Sequence, residues 1–118
     1  NVVPVWSGGE PDRDLNLMLS SVAGIDATAE FTASELSQLT NFAKFAVTND
    51  SGPMHILSSG NIPIFGIFGP SDWVRNHALG QEKYVVTPNK LSASASNGTN
   101  LSELTPSQVI KFIEKTLC

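Results

Sequence analysis

KFAVTNDSGPMHILSSGNIPIFGIFGPSD, residues 44–72, contains two apolar strand-like runs, at 45–48 and 64–68, each opening into a loop of Gly, Ser, Asp and His. Between them the spacing predicts a short helix over 53–59, with Ser51, Gly52 and Pro53 at its start and Gly60 at its end. Pro53 suits the first helical turn, where its missing N–H would have had no partner. A strand, a turn of small residues and a helix N-terminus together leave backbone N–H groups pointing outward. Such an arrangement suits an anion, and it suggests a phosphate-bearing ligand.

Outward from this segment, strand and helix signals alternate, which predicts an α/β fold with a Rossmann-like, mainly parallel sheet and flanking helices. Residues 2–6 (Val-Val-Pro-Val-Trp) read as a first strand entered in mid-strand, as expected of a piece of a longer protein. A turn at 7–11 leads to a helix over 12–22, with Asp12 as its cap and Leu15, Leu17, Met18, Leu19 and Val22 as its apolar face. A short strand is expected at 25–28. Thr32 and Glu35 form a capping box, opening a helix to about Phe42 with Leu36, Leu39 and Phe42 inward. Residues 69–83 read as a long polar loop, 84–87 as a fifth strand and 89–100 as a mobile Ser/Ala/Asn-rich excursion. A last helix runs from Thr105-Pro106 to Leu117, with Val109, Phe112, Ile113 and Leu117 on one side.

Composition narrows the class. With 118 residues, 41% hydrophobic and 15% charged, the chain reads as one globular domain, 1–118. The net charge of −4, with seven scattered Lys and Arg, argues against a nucleic-acid surface. The sole cysteine, Cys118, allows no intrachain disulfide and no Cys-based zinc site, and fits a reducing, cytoplasmic setting. No apolar run approaches the ~20 residues of a membrane span. The sequons at Asn49, Asn97 and Asn100 would matter only in a secretory protein.

In an open parallel sheet, ligands gather at the carboxyl ends of the strands. Three loops leave such ends, at 7–12, 49–53 and 69–72. Gly52 lets the backbone approach a ligand, Ser51 offers a hydroxyl and an N–H, and His55 stands in the first helical turn. Asp50 would repel a phosphate and fits sugar hydroxyls or helix N–H groups better. Glu10 or Asp12 could hold ribose hydroxyls, and Phe31 could stack on a base. Each has a plainer account: caps for Asp50, Ser51 and Asp12, surface for His55 and His77, core for Phe31 and Trp6, a loop anchor for Trp73. Neither a Gly-x-x-x-x-Gly-Lys loop nor a Gly-x-Gly-x-x-Gly turn occurs, which disfavours an ATPase or a dehydrogenase.

The sequence from Asn49 to His55, followed by Ile62-Pro63 and by Phe68-Gly69-Pro70-Ser71-Asp72, resembles the heptosyltransferases, glycosyltransferase family 9. That family's pattern is Asp-Ser/Thr-Gly-x-x-His, a small helix, a Pro-led strand and Phe/Tyr-Gly-Pro-Thr/Ser. The resemblance implies the C-terminal, donor-binding half of a two-domain (GT-B type) bacterial glycosyltransferase of lipopolysaccharide core biosynthesis. It also implies inverting transfer from a nucleotide sugar, ADP-heptose by expectation, without a metal or other cofactor. Asp50, Ser51, Gly52 and His55 would contact the donor's diphosphate and sugar, Glu10 the ribose and Phe31 the adenine. No catalytic residue is expected on this chain, because the general base belongs to the acceptor-binding domain, and the chain alone is expected to be inactive.

A departure from the family follows: its first strand and helix find no counterpart. In the strand order 3-2-1-4-5-6 that strand is central, between the runs at 2–6 and 45–48. A gap there would leave two unpaired sheet edges, so the chain is expected to be cut from a longer protein, to pair with another segment or with itself, or to close the gap by rearrangement. A noncatalytic sugar-nucleotide-binding or assembly module of the same fold is the alternative reading. A sugar-nucleotide epimerase is a weaker one.

Overall fold

The computed structural model describes residues 2–49, 51–69, 73–88 and 104–117. Its elements are β1 (Val5–Gly8), α1 (Arg13–Val22), β2 (Ile25–Thr28), α2 (Ala33–Leu39), β3 (Ala46–Asn49), α3 (Gly52–Leu57), β4 (Ile64–Ile67), α4 (Trp73–Asn76) and α5 (Pro106–Leu117). Single 3-10 turns stand at Glu10–Asp12 and Glu82–Tyr84. Strands and helices alternate and every strand pair is parallel, so the chain is α/β.

The sheet is in two pieces. β1 pairs with β2, with Val5 opposite Ile25 and Gly8 opposite Thr28, and β3 pairs with β4, with Ala46 opposite Ile64 and Asn49 opposite Ile67. No ladder joins β1 to β3 among the described residues. The fifth strand shrinks to one parallel bridge, Val86 to Ile67, because residues 82–84 coil into a 3-10 turn.

Packing concentrates in the second half. Leu36 of α2, Met54 and Leu57 of α3, Ile64, Phe68, Ala78 and Val85 form the buried cluster on one side of β3–β4. On the other side Phe65 is fully buried among Phe45, Tyr84 and Phe112, with ring centroids 5.9, 5.3 and 6.1 Å away. These edge-on contacts suit the charge distribution of aromatic rings. Gln81 anchors the start of β4 by accepting from Ile64 N–H at 3.0 Å.

Several expectations shift. β1 begins at Val5 and includes Ser7 and Gly8, while Val2 and Val3 are exposed coil. β3 and β4 end at Asn49 and Ile67 because their register, not local apolarity, sets where both stop. The loop expected at 69–83 holds α4. Phe42 faces solvent, since α2 tightens after Leu39 into i→i−3 bonds that swing it outward. Leu117 is exposed. Of the expected apolar face of α1, Leu15, Leu17, Met18 and Val22 are exposed and Leu19 is half-buried, and Asn16 is the helix's buried residue, donating to Thr28 Oγ1 at 2.9 Å. The excursion at 89–100 lies outside the described residues.

Candidate functional site

Because the strands are parallel, their carboxyl ends lie on one side of each pair. At the end of β3, Ser51 is extended (φ −158°, ψ 174°) and precedes the first turn of α3. Its hydroxyl does not cap the helix as expected; it donates to Asn49 Oδ1 at 2.9 Å, holding the loop against the strand end. Ser51 C=O accepts from Met54 N–H at 3.2 Å. Gly52 and His55 are exposed, so the first turn of α3 opens to solvent. Nearby, Thr48 Oγ1 is buried without a hydrogen-bond partner among the described residues. Asp50, Pro70, Ser71 and Asp72 lie outside the described residues.

Gly52 differs from the glycines that packing demands. A β-carbon at Gly60 would collide with Thr40, and one at Gly66 would stand 2.8 Å from Met54 Sδ. A β-carbon at Gly52 would meet nothing within 4 Å among the described residues, and its φ is not in the left-handed range. Among the described residues, neither packing nor backbone conformation requires glycine there.

At the end of β1 the turn carries Glu10, expected to hold a ribose. Both of its oxygens are engaged: Arg13 Nε donates to Oε2 at 2.7 Å and Nη2 to Oε1 at 2.6 Å. The guanidinium holds the Glu10 carboxyl below its usual range. Asp12 accepts from Gly9 N–H at 3.1 Å and does not cap α1 by its side chain. Within β2, Asp26 Oδ1 accepts from the hydroxyl of Thr28, the strand's last residue, at 2.6 Å and from Thr28 N–H at 3.0 Å, which lowers its pKa. Phe31 is half-buried against the core cluster, the plainer of its two accounts. No hydrogen bond or ion pair links Glu10 or Phe31 to Ser51, Gly52 or His55 among the described residues.

Arg13, Asn16, Asp26 and Thr28 were not anticipated at this end of the sheet. A lone Asn within an apolar helical run was the available signal. His77, read as plain surface, is partly buried, with Nδ1 3.0 Å from Trp73 O and Nε2 3.0 Å from Glu82 Oε1. Two hollows form elsewhere. One of about 220 Å³ lies at the amino end of β4, between Gly60 and Tyr84. The other, about 350 Å³, is apolar and lined by Ile67, Leu104, Pro106, Val109 and Ile110. Neither includes Ser51, Gly52 or His55, of which Gly52 and His55 are exposed and Ser51 is half-buried.

The family model for glycosyltransferase family 9 (heptosyltransferase) matches residues 17–104. The chain belongs to that family. Comparison with curated proteins gives no match. Among solved structures, the crystal structure of the glycosyl transferase family 9 from Veillonella parvula DSM 2008 is similar, with 27% identity and a TM-score of 0.76. The similarity covers 96% of this chain and 36% of that one, so this family 9 chain spans about a third of that relative's length. The family assignment and the structural likeness agree with a Rossmann-like α/β domain.

Proposed function

We propose that this chain is the nucleotide-sugar-binding part of an inverting glycosyltransferase. ADP-heptose would be the donor and the lipopolysaccharide core the setting, in the cytoplasm or at the inner membrane's inner face. Family membership supports a transferase with a nucleotide-sugar donor and a glycan acceptor. The acceptor site and the general base would belong to the remainder of the protein.

The observation that carries the donor site is Gly52, an exposed glycine after the carboxyl end of β3 that neither backbone conformation nor packing among the described residues requires. A diphosphate approaching the Gly52 N–H would need the room that a side chain fills. His55, one turn on, can donate to the same group, and backbone N–H groups stabilise charge developing on the departing diphosphate. Asp50 and Ser51 would meet sugar hydroxyls.

Calorimetric titration of the full-length protein with ADP-heptose and ADP tests this. Gly52→Ala should leave the thermal midpoint unchanged or slightly higher, since Ala suits a helical position better. It should nonetheless weaken binding by about tenfold or more, on the order of 1.4 kcal/mol. His55→Ala and Asp50→Ala should weaken it too. Unchanged affinity in Gly52→Ala would sink the assignment of this loop.

A further inference from the structure

Ser51 is held by its backbone and by its side chain. Its C=O accepts from the N–H of Met54, a residue only 1% exposed, which ties the loop to the core. Its hydroxyl faces two oxygens of one neighbour. Asn49 Oδ1 accepts from it at 2.9 Å, and the main-chain carbonyl of Asn49 stands 3.5 Å away. Asn49 is itself placed by the sheet, as the last residue of β3 and opposite Ile67 in the ladder. A hydroxyl carries one proton and two lone pairs. Both oxygens beside it can only accept, so the proton of Ser51 is turned toward Asn49. What the hydroxyl then offers to anything arriving from outside is its lone pairs.

We propose that Asn49 is a positioning residue for the donor. By holding the proton of Ser51 it makes Ser51 Oγ an acceptor for a sugar hydroxyl and closes it to the diphosphate. The inference rests on the donor reading above. The bridging and ionised oxygens of a diphosphate diester can only accept. Beside Ser51 Oγ such an oxygen would meet lone pairs, unless the hydroxyl swung away and gave up its bond to Asn49. A sugar hydroxyl has a proton to give and can donate to Ser51 Oγ with that bond intact. The donors that a diphosphate needs come instead from the Gly52 N–H and the His55 ring, both exposed on the same loop and turn. Acceptor and donors are thereby sorted along five residues of chain. The sorting depends on a side chain that stands outside the family's Asp-Ser/Thr-Gly-x-x-His pattern.

Calorimetric titration of the full-length protein with ADP and with ADP-heptose tests this through the ratio of the two affinities. Asn49→Leu is close in size and has no acceptor, so it frees the hydroxyl proton. ADP-heptose should then bind about fivefold more weakly, the worth of one hydrogen bond, while ADP binds as before or more tightly. Ser51→Ala should move the ratio in the same direction. Adding Asn49→Leu to Ser51→Ala should shift it no further than about twofold, because Asn49 acts through Ser51. Asn49→Asp keeps an acceptor for the hydroxyl. Its charge should weaken both ligands together and hold the ratio within about twofold of the parent's. A parent that binds neither ligand overturns the donor reading and this inference with it. A parent that binds both, with a ratio that Asn49→Leu leaves unmoved, overturns this inference alone, as does a further shift in the double variant.

Discussion

Met54 Sδ occupies the space into which a β-carbon on Gly66 would project, 2.8 Å away, with Phe68 Cε2 at 3.1 Å. Met54 is 1% exposed, so α3 lies on β4 through a contact that only glycine permits. Gly66→Ala should destabilise the protein by about 1–3 kcal/mol through overpacking. Met54→Ala alone should cost about 2–5 kcal/mol through the cavity it leaves. The double variant should cost less than the sum, because the shortened side chain admits the new methyl group. Urea unfolding of the four proteins measures the coupling, and strict additivity would show that the two residues do not share this space.

Asn16 is the polar residue that α1 buries, and its partner is specific. Thr28 Oγ1 already gives its proton to Asp26 Oδ1, so it can only accept from Asn16 Nδ2. Asn16→Ala should therefore cost about 1–2 kcal/mol, the loss of a buried hydrogen bond. Asn16→Asp should cost more at pH 7, since a carboxylate cannot donate to Thr28 and brings a second negative charge near Asp26. That difference should shrink below about pH 4, where the new carboxyl becomes protonated. Unfolding curves at the two pH values would expose a wrong assignment if Asp proved no worse than Ala.

How much of this was legible before the structure depends on what holds each element. The strand at Ile25–Thr28 and the start of the helix capped by Thr32 stand where the sequence places them, whereas that helix ends at Leu39, short of Phe42. The gap between β1 and β3 was an expectation only through the family resemblance, and among the described residues no ladder joins the two strands. The ends of β1 and β3 were not legible, because a parallel strand stops where its partner does. Exposure of the α1 stripe escaped a periodicity argument, which assumes that the apolar face finds a core. Glu10 was visible as an acid in a turn, but its engagement depends on Arg13 coming round by a helical turn. The two acceptors of His77 are invisible in sequence, since α4 is a single turn without a pattern. Ser51 and Gly52 were visible as residue types, whereas the open surface around Gly52 is a property of the fold.

Thr32 and Glu35 form a reciprocal cap at the start of α2. Glu35 N–H donates to Thr32 Oγ1 at 3.2 Å, and Thr32 N–H donates to Glu35 Oε1 at 3.0 Å. The helix they open carries Leu36 into the core, so fraying there loosens a core contact as well as a turn. Thr32→Ala should cost about 1 kcal/mol, while Thr32→Ser, which keeps the oxygen, should cost little. Bonds from the Thr32 backbone and hydroxyl hold the Glu35 carboxyl below its usual range. Its contribution is thus present at neutral pH and lost as pH falls through the lowered value. Denaturant midpoints of the two Thr32 variants give the comparison; equal losses would mean that the hydroxyl does not cap.

His77 faces an acceptor at each ring nitrogen, the Trp73 carbonyl at Nδ1 and the Glu82 carboxylate at Nε2, both at 3.0 Å. Only the doubly protonated ring can donate to both. Desolvation lowers the pKa of this partly buried ring, but the bonds to Trp73 O and Glu82 outweigh it and raise the value above the ordinary 6.5. A group whose folded pKa is raised binds its proton more tightly in the folded state. Its stabilisation is therefore complete below the unfolded value near 6.5 and disappears as pH rises through the higher folded one. The protein should be less stable at pH 8.5 than at pH 6, and His77→Gln should remove that part of the decline. The variant should match its own stability at the two pH values more closely than the parent does. Thermal midpoints across this range, for parent and variant, measure it. If the two profiles run parallel, the link between Glu82 and α4 does not depend on the imidazolium.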